Sequence, residues 1–228
     1  MRRVWLAPSE IRYLIDKCAR CWWLKTRSVP IPRESVPAIF TQIDRGMKQS
    51  FTLEKLEQLG FEAREIIEIG PLRSKPITFE DLDVELVIKG QLDRLLELRN
   101  GTFAIVDFKT TRPRTTEPLQ RQLHAYKEAL ENPVIGAPRE VSQLALIIFD
   151  PSVGRFALKD SNAAITGQIT RQDIPIEPAR FHAELRKIAE LAAQPHLPEA
   201  APTCLVCHHA ADVLRYATQS ETITAPAT

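Results

Sequence analysis

The stretch "GQLDRLLELRNGTFAIVDFKTT", residues 90–111, decides how this chain is read, because it places Asp93, Asp107 and Lys109 on two arms of one hairpin. Asn100-Gly101 supplies turn chemistry between the apolar runs on either side. A two-residue loop at Asn100-Gly101 pairs residues whose numbers sum to 201 and turns Asp93 away from Asp107. A three-residue loop, Arg99-Asn100-Gly101 with Gly101 left-handed, makes the sum 200 and sets the two aspartates directly across from each other. Lys109 follows Asp107 by two residues and shares its face in either register. Opposed carboxylates repel, so the second register asks for a compensating cation, and a divalent ion held by one or two carboxylates plus phosphate oxygens and water meets that need.

Working outward, helical spacing in "LQRQLHAYKEAL" puts Gln122 and Tyr126 on one face of a helix opened by Pro118 and running to about Leu130. "VSQLALIIFD" (141–150) reads as a buried strand, with shorter strands at 155–159 and 167–176 and a long helix at 178–193. Upstream, "PSEIRYLIDKCARCWWLK" opens with Pro8-Ser9 as a cap and runs Ile11, Leu14, Ile15 and Cys18 at helical spacing, which reads as one short helix, and "SVPIPRESVP" (28–37) is an extended loop. A second helix fits 42–59, stopped by Gly60. The expected organisation is one domain over residues 1–217, followed by a disordered polar tail at 218–228.

Gly90-x-x-Asp93, Asp107-x-Lys109 and Gln122-x-x-x-Tyr126, in that order and spacing, resemble the PD-(D/E)xK nuclease superfamily, in particular its RecB-like branch. The resemblance covers roughly residues 40–150 and implies an α/β fold with a restriction-endonuclease-like αβββαβ core: a mixed central sheet flanked by helices. It implies that Asp93 and Asp107 bind Mg²⁺ or Mn²⁺, that Lys109 orients water or stabilises charge on phosphate, and that Gln122 and Tyr126 contact substrate or support the site. The implied activity is metal-dependent DNA hydrolysis in repair, recombination or defence, beside a helicase or repair-complex partner. The alternative is an inactive nucleic-acid-binding or assembly module on the same fold. Relatives usually carry a histidine or an acid on the first core helix as a further metal ligand. Here "IDRGMKQSFTLEKL" has no histidine, Asp44 stands early, Glu54 stands late, and Lys48 and Gln49 are poor ligands.

All four cysteines fall into two Cys-x-x-Cys pairs, Cys18/Cys21 and Cys204/Cys207, which together predict one four-thiolate metal site. Thiolate count alone suits Zn²⁺ or an iron–sulfur cluster. The segment "SEIRYLIDKCARCWWLK" resembles the N-terminal part of iron–sulfur RecB-like nucleases, and by that likeness a [4Fe–4S] cluster is expected, with Zn²⁺ as the alternative. "CLVCH" (204–208) also fits the c-type haem attachment pattern, but that reading leaves Cys18 and Cys21 unexplained. His208 and His209 are candidate substitutes for a thiolate. Trp22 and Trp23 are candidate base-stacking residues, with burial the plainer expectation.

Charge is nearly balanced, with 30 Lys and Arg against 29 Asp and Glu, so no global field marks a polyanion partner. Locally, residues 1–33 carry eight Lys or Arg against Glu10 and Asp16, and residues 109–127 carry five against Glu117. These stretches suggest a DNA track through the N-terminal region and Arg112, Arg114 and Arg121. No apolar run approaches the ~18 residues of a membrane span, and no signal-peptide pattern is present, so a cytoplasmic protein is expected.

Overall fold

The computed structural model describes residues 1–14, 18–32, 37–110, 115–159 and 162–223. Along the chain these form β1 (Arg2–Leu6), α1 (Pro8–Leu14), α2 (Ala19–Lys25), α3 (Ala38–Ser50), α4 (Leu53–Gln58), β2 (Ala63–Ile67), β3 (Leu72–Arg73), β4 (Ile77–Thr78), β5 (Val84–Gly90) and β6 (Arg94–Leu98). There follow β7 (Phe103–Lys109), α5 (Glu117–Glu131), β8 (Val141–Asp150), a 3₁₀ turn at Pro151–Val153, β9 (Phe156–Lys159), β10 (Asn162–Ile165), β11 (Gln168–Ile174), α6 (Pro178–Ala193) and α7 (Leu205–Ile223).

The main sheet has the order β11-β8-β7-β6-β2 and is mixed, since β7 and β8 run parallel while the other neighbours are antiparallel. Alternation along β7 sends Ala104, Val106 and Phe108 into one core, with Met47 of α3 and Leu56 of α4. Ile105 enters the other core, with Leu119 and Leu123 of α5 and Phe181 and Leu185 of α6. Helices thus cover both faces, as the αβββαβ expectation requires. A second sheet is built around β5, which pairs with β1 in parallel and with β3 and β4 antiparallel.

Two local readings change. The expected helix at 42–59 is two helices: Phe51 closes α3 through its N–H to the Met47 carbonyl, and the Thr52 hydroxyl caps α4 by accepting from Lys55 N–H at 3.4 Å. Gly60 does end α4, with φ +84°, its N–H on Glu57 O and the Phe61 N–H on Leu56 O, a pairing that satisfies the last carbonyls. The tail expected to be disordered from 218 is helical as far as Ile223, because α7 continues to that point; residues 224–228 lie outside the described ones.

The hairpin takes the sum-200 register: Arg94 pairs with Val106, Leu95 with Ile105 and Leu96 with Ala104. Gly101 has φ +83°, which a side chain at this position resists, and its N–H bonds to Leu98 O at 2.9 Å. The strand before the hairpin, β5, leaves for the second sheet. At the end of β5, Gly90 lets Pro8 approach closely, since a Cβ there would stand 2.6 Å from Pro8 Cδ and 3.5 Å from a ring carbon of Tyr126.

Candidate functional site

The site is assembled around two carboxylates at the end of the paired stretch: Asp93, which precedes Arg94, and Asp107, which follows its partner Val106. Asp93 Oδ2 accepts the Phe108 N–H at 2.9 Å, so the backbone of the opposite strand orients it. Asp93 Oδ1 faces the Lys48 ammonium at 2.7 Å, and the same ammonium is 2.7 Å from Asp44, one turn earlier on α3. Burial opposes the charge on Lys48, but its hydrogen bonds to both aspartates outweigh this and hold it above the ordinary lysine range.

Asp107 is 3% exposed. Its Oδ1 accepts from Gln122 Nε2 at 3.1 Å; its Oδ2 accepts no hydrogen bond of ordinary geometry and faces the Lys109 ammonium. Burial pushes the Asp107 carboxyl up to about 6; Lys109 pulls it down and Asp93 adds to the rise. Lys109 also donates to Gln122 Oε1 at 3.5 Å, so Gln122 spans the Asp107–Lys109 pair. Tyr126, on the same face of α5, is 5% exposed and donates to the Gln91 carbonyl at 2.8 Å, which pins the turn leading to Asp93. Burial pushes its phenol up to about 12. The five residues singled out from the sequence are therefore brought together around one end of β7.

Asp44 and Lys48 were the residues that sequence reasoning set aside. Their i,i+4 spacing places both on one face of α3, but only packing of α3 over the hairpin end shows that this face meets Asp93. Gln49 and Glu54 are exposed, and Glu54 accepts from Gln58 rather than facing the aspartates.

A divalent ion fits this donor set. Two hard carboxylate oxygen ligands meet at one strand end, and the buried Asp107 Oδ2 has only an ammonium to neutralise it. Among the described residues no third carboxylate or histidine converges closely enough to complete a protein-only cage there. That leaves coordination positions for water and phosphate.

The second site lies at the junction of the chain's two ends. The sulfurs of Cys18, Cys21, Cys204 and Cys207 all lie within 4.8 Å of one another, with Cys18–Cys207 at 3.7 Å and Cys21 at 3.5 Å from both Cys204 and Cys207. The Ala201 N–H donates to Cys18 Sγ at 3.3 Å. Burial raises the Cys18 thiol, but this bond and its neighbours prevail and bring it down to about 6. His208 turns away to the Pro202 carbonyl at 2.6 Å, and His209 is exposed.

The expected DNA track is redrawn by where the cations go. Arg2 donates to Ala192 O, Arg20 to Pro198 O at 2.9 Å and Arg27 to Gln194 O at 2.7 Å, so this part of the N-terminal charge clasps the C-terminal segment. Arg121 is 7% exposed and paired with Glu184, buried because its helix face turns to α6. Arg112 and Arg114 lie outside the described residues. Trp22 is 3% exposed, and Trp23 is half-buried, with the Arg27 guanidinium 3.3 Å from its ring centroid and its indole N–H donating to Gln194 O at 2.9 Å.

The family model of the PD-(D/E)XK nuclease superfamily matches residues 15–211. No curated protein matches the chain. Among solved structures, the crystal structure of SSO0001 is similar over 82% of this chain and 76% of its own, at 13% identity and a TM-score of 0.45. Among the described residues no helix is long and apolar enough to cross a membrane.

Proposed function

The chain belongs to the PD-(D/E)XK nuclease superfamily, and on that premise we propose that it is a divalent-metal-dependent DNA nuclease whose site is Asp93, Asp107, Lys109, Gln122 and Tyr126. The observation that carries the proposal is the buried Asp107 carboxylate, opposed to Asp93 and with one oxygen left to an ammonium alone. Phosphodiester hydrolysis needs an activated water, neutralised phosphate charge and a stabilised leaving oxygen, and a Mg²⁺ or Mn²⁺ ion held by Asp93 and Asp107 supplies these when bound. Lys109 adds a preorganised positive charge beside the reacting phosphate. Gln122 fixes the orientation of Asp107, and Tyr126 fixes the turn that delivers Asp93. Both act as positioning residues.

The Cys₄ set is read as a structural clasp around a single domain. Four thiolates on one tetrahedral ion at ~2.3 Å stand about 3.8 Å apart, close to the three separations of 3.5–3.7 Å here, with all four sulfurs within 4.8 Å of one another. A [4Fe–4S] cluster attaches each thiolate to a different iron of a cube and requires the sulfurs to move apart, so Zn²⁺ is the better fit.

A second reading, an inactive binding module, is favoured by one contact: the Lys48 ammonium lies against Asp93, where a metal would carry the charge. The discriminating experiment is cleavage of end-labelled single- and double-stranded DNA in Mg²⁺, Mn²⁺ or EDTA, beside Lys109→Ala. Metal-dependent cutting lost in the variant supports the nuclease. Binding without cutting by the wild type supports the module.

A further inference from the structure

We propose that the outward face of β1, β5 and β3 is a subsite for single-stranded nucleic acid, with Trp5 stacking on a base and Arg73 and Lys89 contacting phosphates. The proposal rests on the nuclease reading for its class of ligand.

Val4 and Leu6 of β1 are buried, so the alternation turns Arg3 and Trp5 outward, and Trp5 is 46% exposed. The register aligns Arg3 with Glu85, Trp5 with Val87 and Arg73 with Lys89, which puts Arg3, Trp5, Lys89 and Arg73 on one face. The Arg73 guanidinium carbon lies 5.0 Å from the Trp5 ring centroid and that of Arg3 lies 5.9 Å away.

A lone exposed tryptophan is ordinary. The charge around this one is not. Arg3 is neutralised by Glu85, whereas among the described residues neither Arg73 nor Lys89 pairs with a carboxylate. An accessible indole framed by uncompensated cations is what single-stranded nucleic acid uses: a π-face for a base and positive charge for its phosphates. An unstacked base is required to lie on the indole, and this selects single strands over duplex.

Trp5 is level with Val87, and β5 continues through Gly90 and Gln91 to Asp93, a chain path of at most about 20 Å at ~3.3 Å per residue. Among the described residues, Arg2 and Arg27 of the N-terminal region and Arg121 and Lys127 of α5 are, by contrast, held by acceptors within the protein.

The test is equilibrium binding of fluorescein-labelled oligo-dT and oligo-U to the intact protein in EDTA across a salt series, read by anisotropy and by quenching of tryptophan emission. Trp5→Ala is expected to weaken binding roughly tenfold or more and to abolish most of the quench, with Trp5→Phe restoring affinity. Arg73→Gln and Lys89→Gln should each lower the slope of log K against log salt by about 0.7. Binding of either oligonucleotide supports the proposal, and the tighter one assigns the sugar. Affinity of Trp5→Ala within twofold of wild type, equal losses on blunt duplex, or no binding by the wild type overturns it. The nuclease reading stands or falls separately, on whether the wild type cleaves in Mg²⁺ or Mn²⁺ and Lys109→Ala does not.

Discussion

The Lys48 ammonium stands 2.7 Å from Asp93, so the carboxylate nearest the first core helix is already neutralised by a side chain of the protein itself. Any divalent ion arriving at Asp93 meets this charge. Lys48→Gln is therefore expected to tighten Mn²⁺ binding roughly tenfold, about 1.4 kcal/mol, by relieving a cation–cation repulsion. Calorimetric titration of the two proteins with Mn²⁺ checks this, and weaker binding by the variant would instead make Lys48 a support for the site.

Asp107 couples the site to pH. Its carboxyl is raised from 3.8 to about 6 in the folded chain, chiefly by burial. Between those values the folded state binds more protons than the unfolded one, so metal-free stability falls as pH rises from about 4 to 6 and stays reduced above. Asp107→Asn should remove its part of that slope. The same variant should lose Mn²⁺ binding. Wild-type metal affinity should rise as pH passes through 6, because the proton competes with the ion. Thermal unfolding and Mn²⁺ titration at pH 5.5 and 7.5 read both effects.

His124 has the opposite sign. It is 3% exposed, its Nδ1 pairs with the Gln120 carbonyl at 2.8 Å, and its Nε2 accepts the Glu177 N–H at 2.8 Å. That arrangement holds the neutral Nδ1–H tautomer, and burial lowers its pKa below the ordinary 6.5. The unfolded chain binds the proton more readily, so this contribution is complete above pH 6.5 and is lost as pH falls toward the folded value. In His124→Gln the acid side of the stability profile just below pH 6.5 should flatten, as followed by urea midpoints in half-unit pH steps.

The thiolate site should carry one Zn²⁺ per chain by elemental analysis of anaerobically purified protein, without the visible absorption of an iron–sulfur cluster. Cys204→Ser should lower metal content and reduce Tm by about 10 °C or more, since metal binding here contributes directly to folding. Stoichiometric iron and sulfide would reverse the assignment.

The hairpin was legible from Asn100-Gly101, but its register was not: a two-residue and a three-residue loop both fit the sequence, and the left-handed Gly101 of the folded chain decides for the longer loop. The helix at 178–193 and the strand at 141–150 were equally readable, since their apolar periodicity spans many residues and is bounded by prolines or charge. The short elements β1, β2 and α2 were not. In β1 and β2 only alternate positions are buried, and pairing to distant strands supplies what local preference does not.

The sequence by itself determined the chemistry: two aspartates, a lysine, a glutamine and a tyrosine in an order and spacing that local geometry can gather, and four cysteines that pair. Only the tertiary structure decided which cations are available. Arg121, set in a basic run, is buried against Glu184, whereas Arg73, beside Trp5, and its strand partner Lys89, both inside an acidic stretch, pair with no carboxylate among the described residues. Lys48, a poor ligand by composition, lies against Asp93 because α3 folds over the end of the hairpin. The reason is physical: a charge's effect is set by the distance to its neighbours and by its exposure to water, and both are properties of packing between segments far apart in the chain.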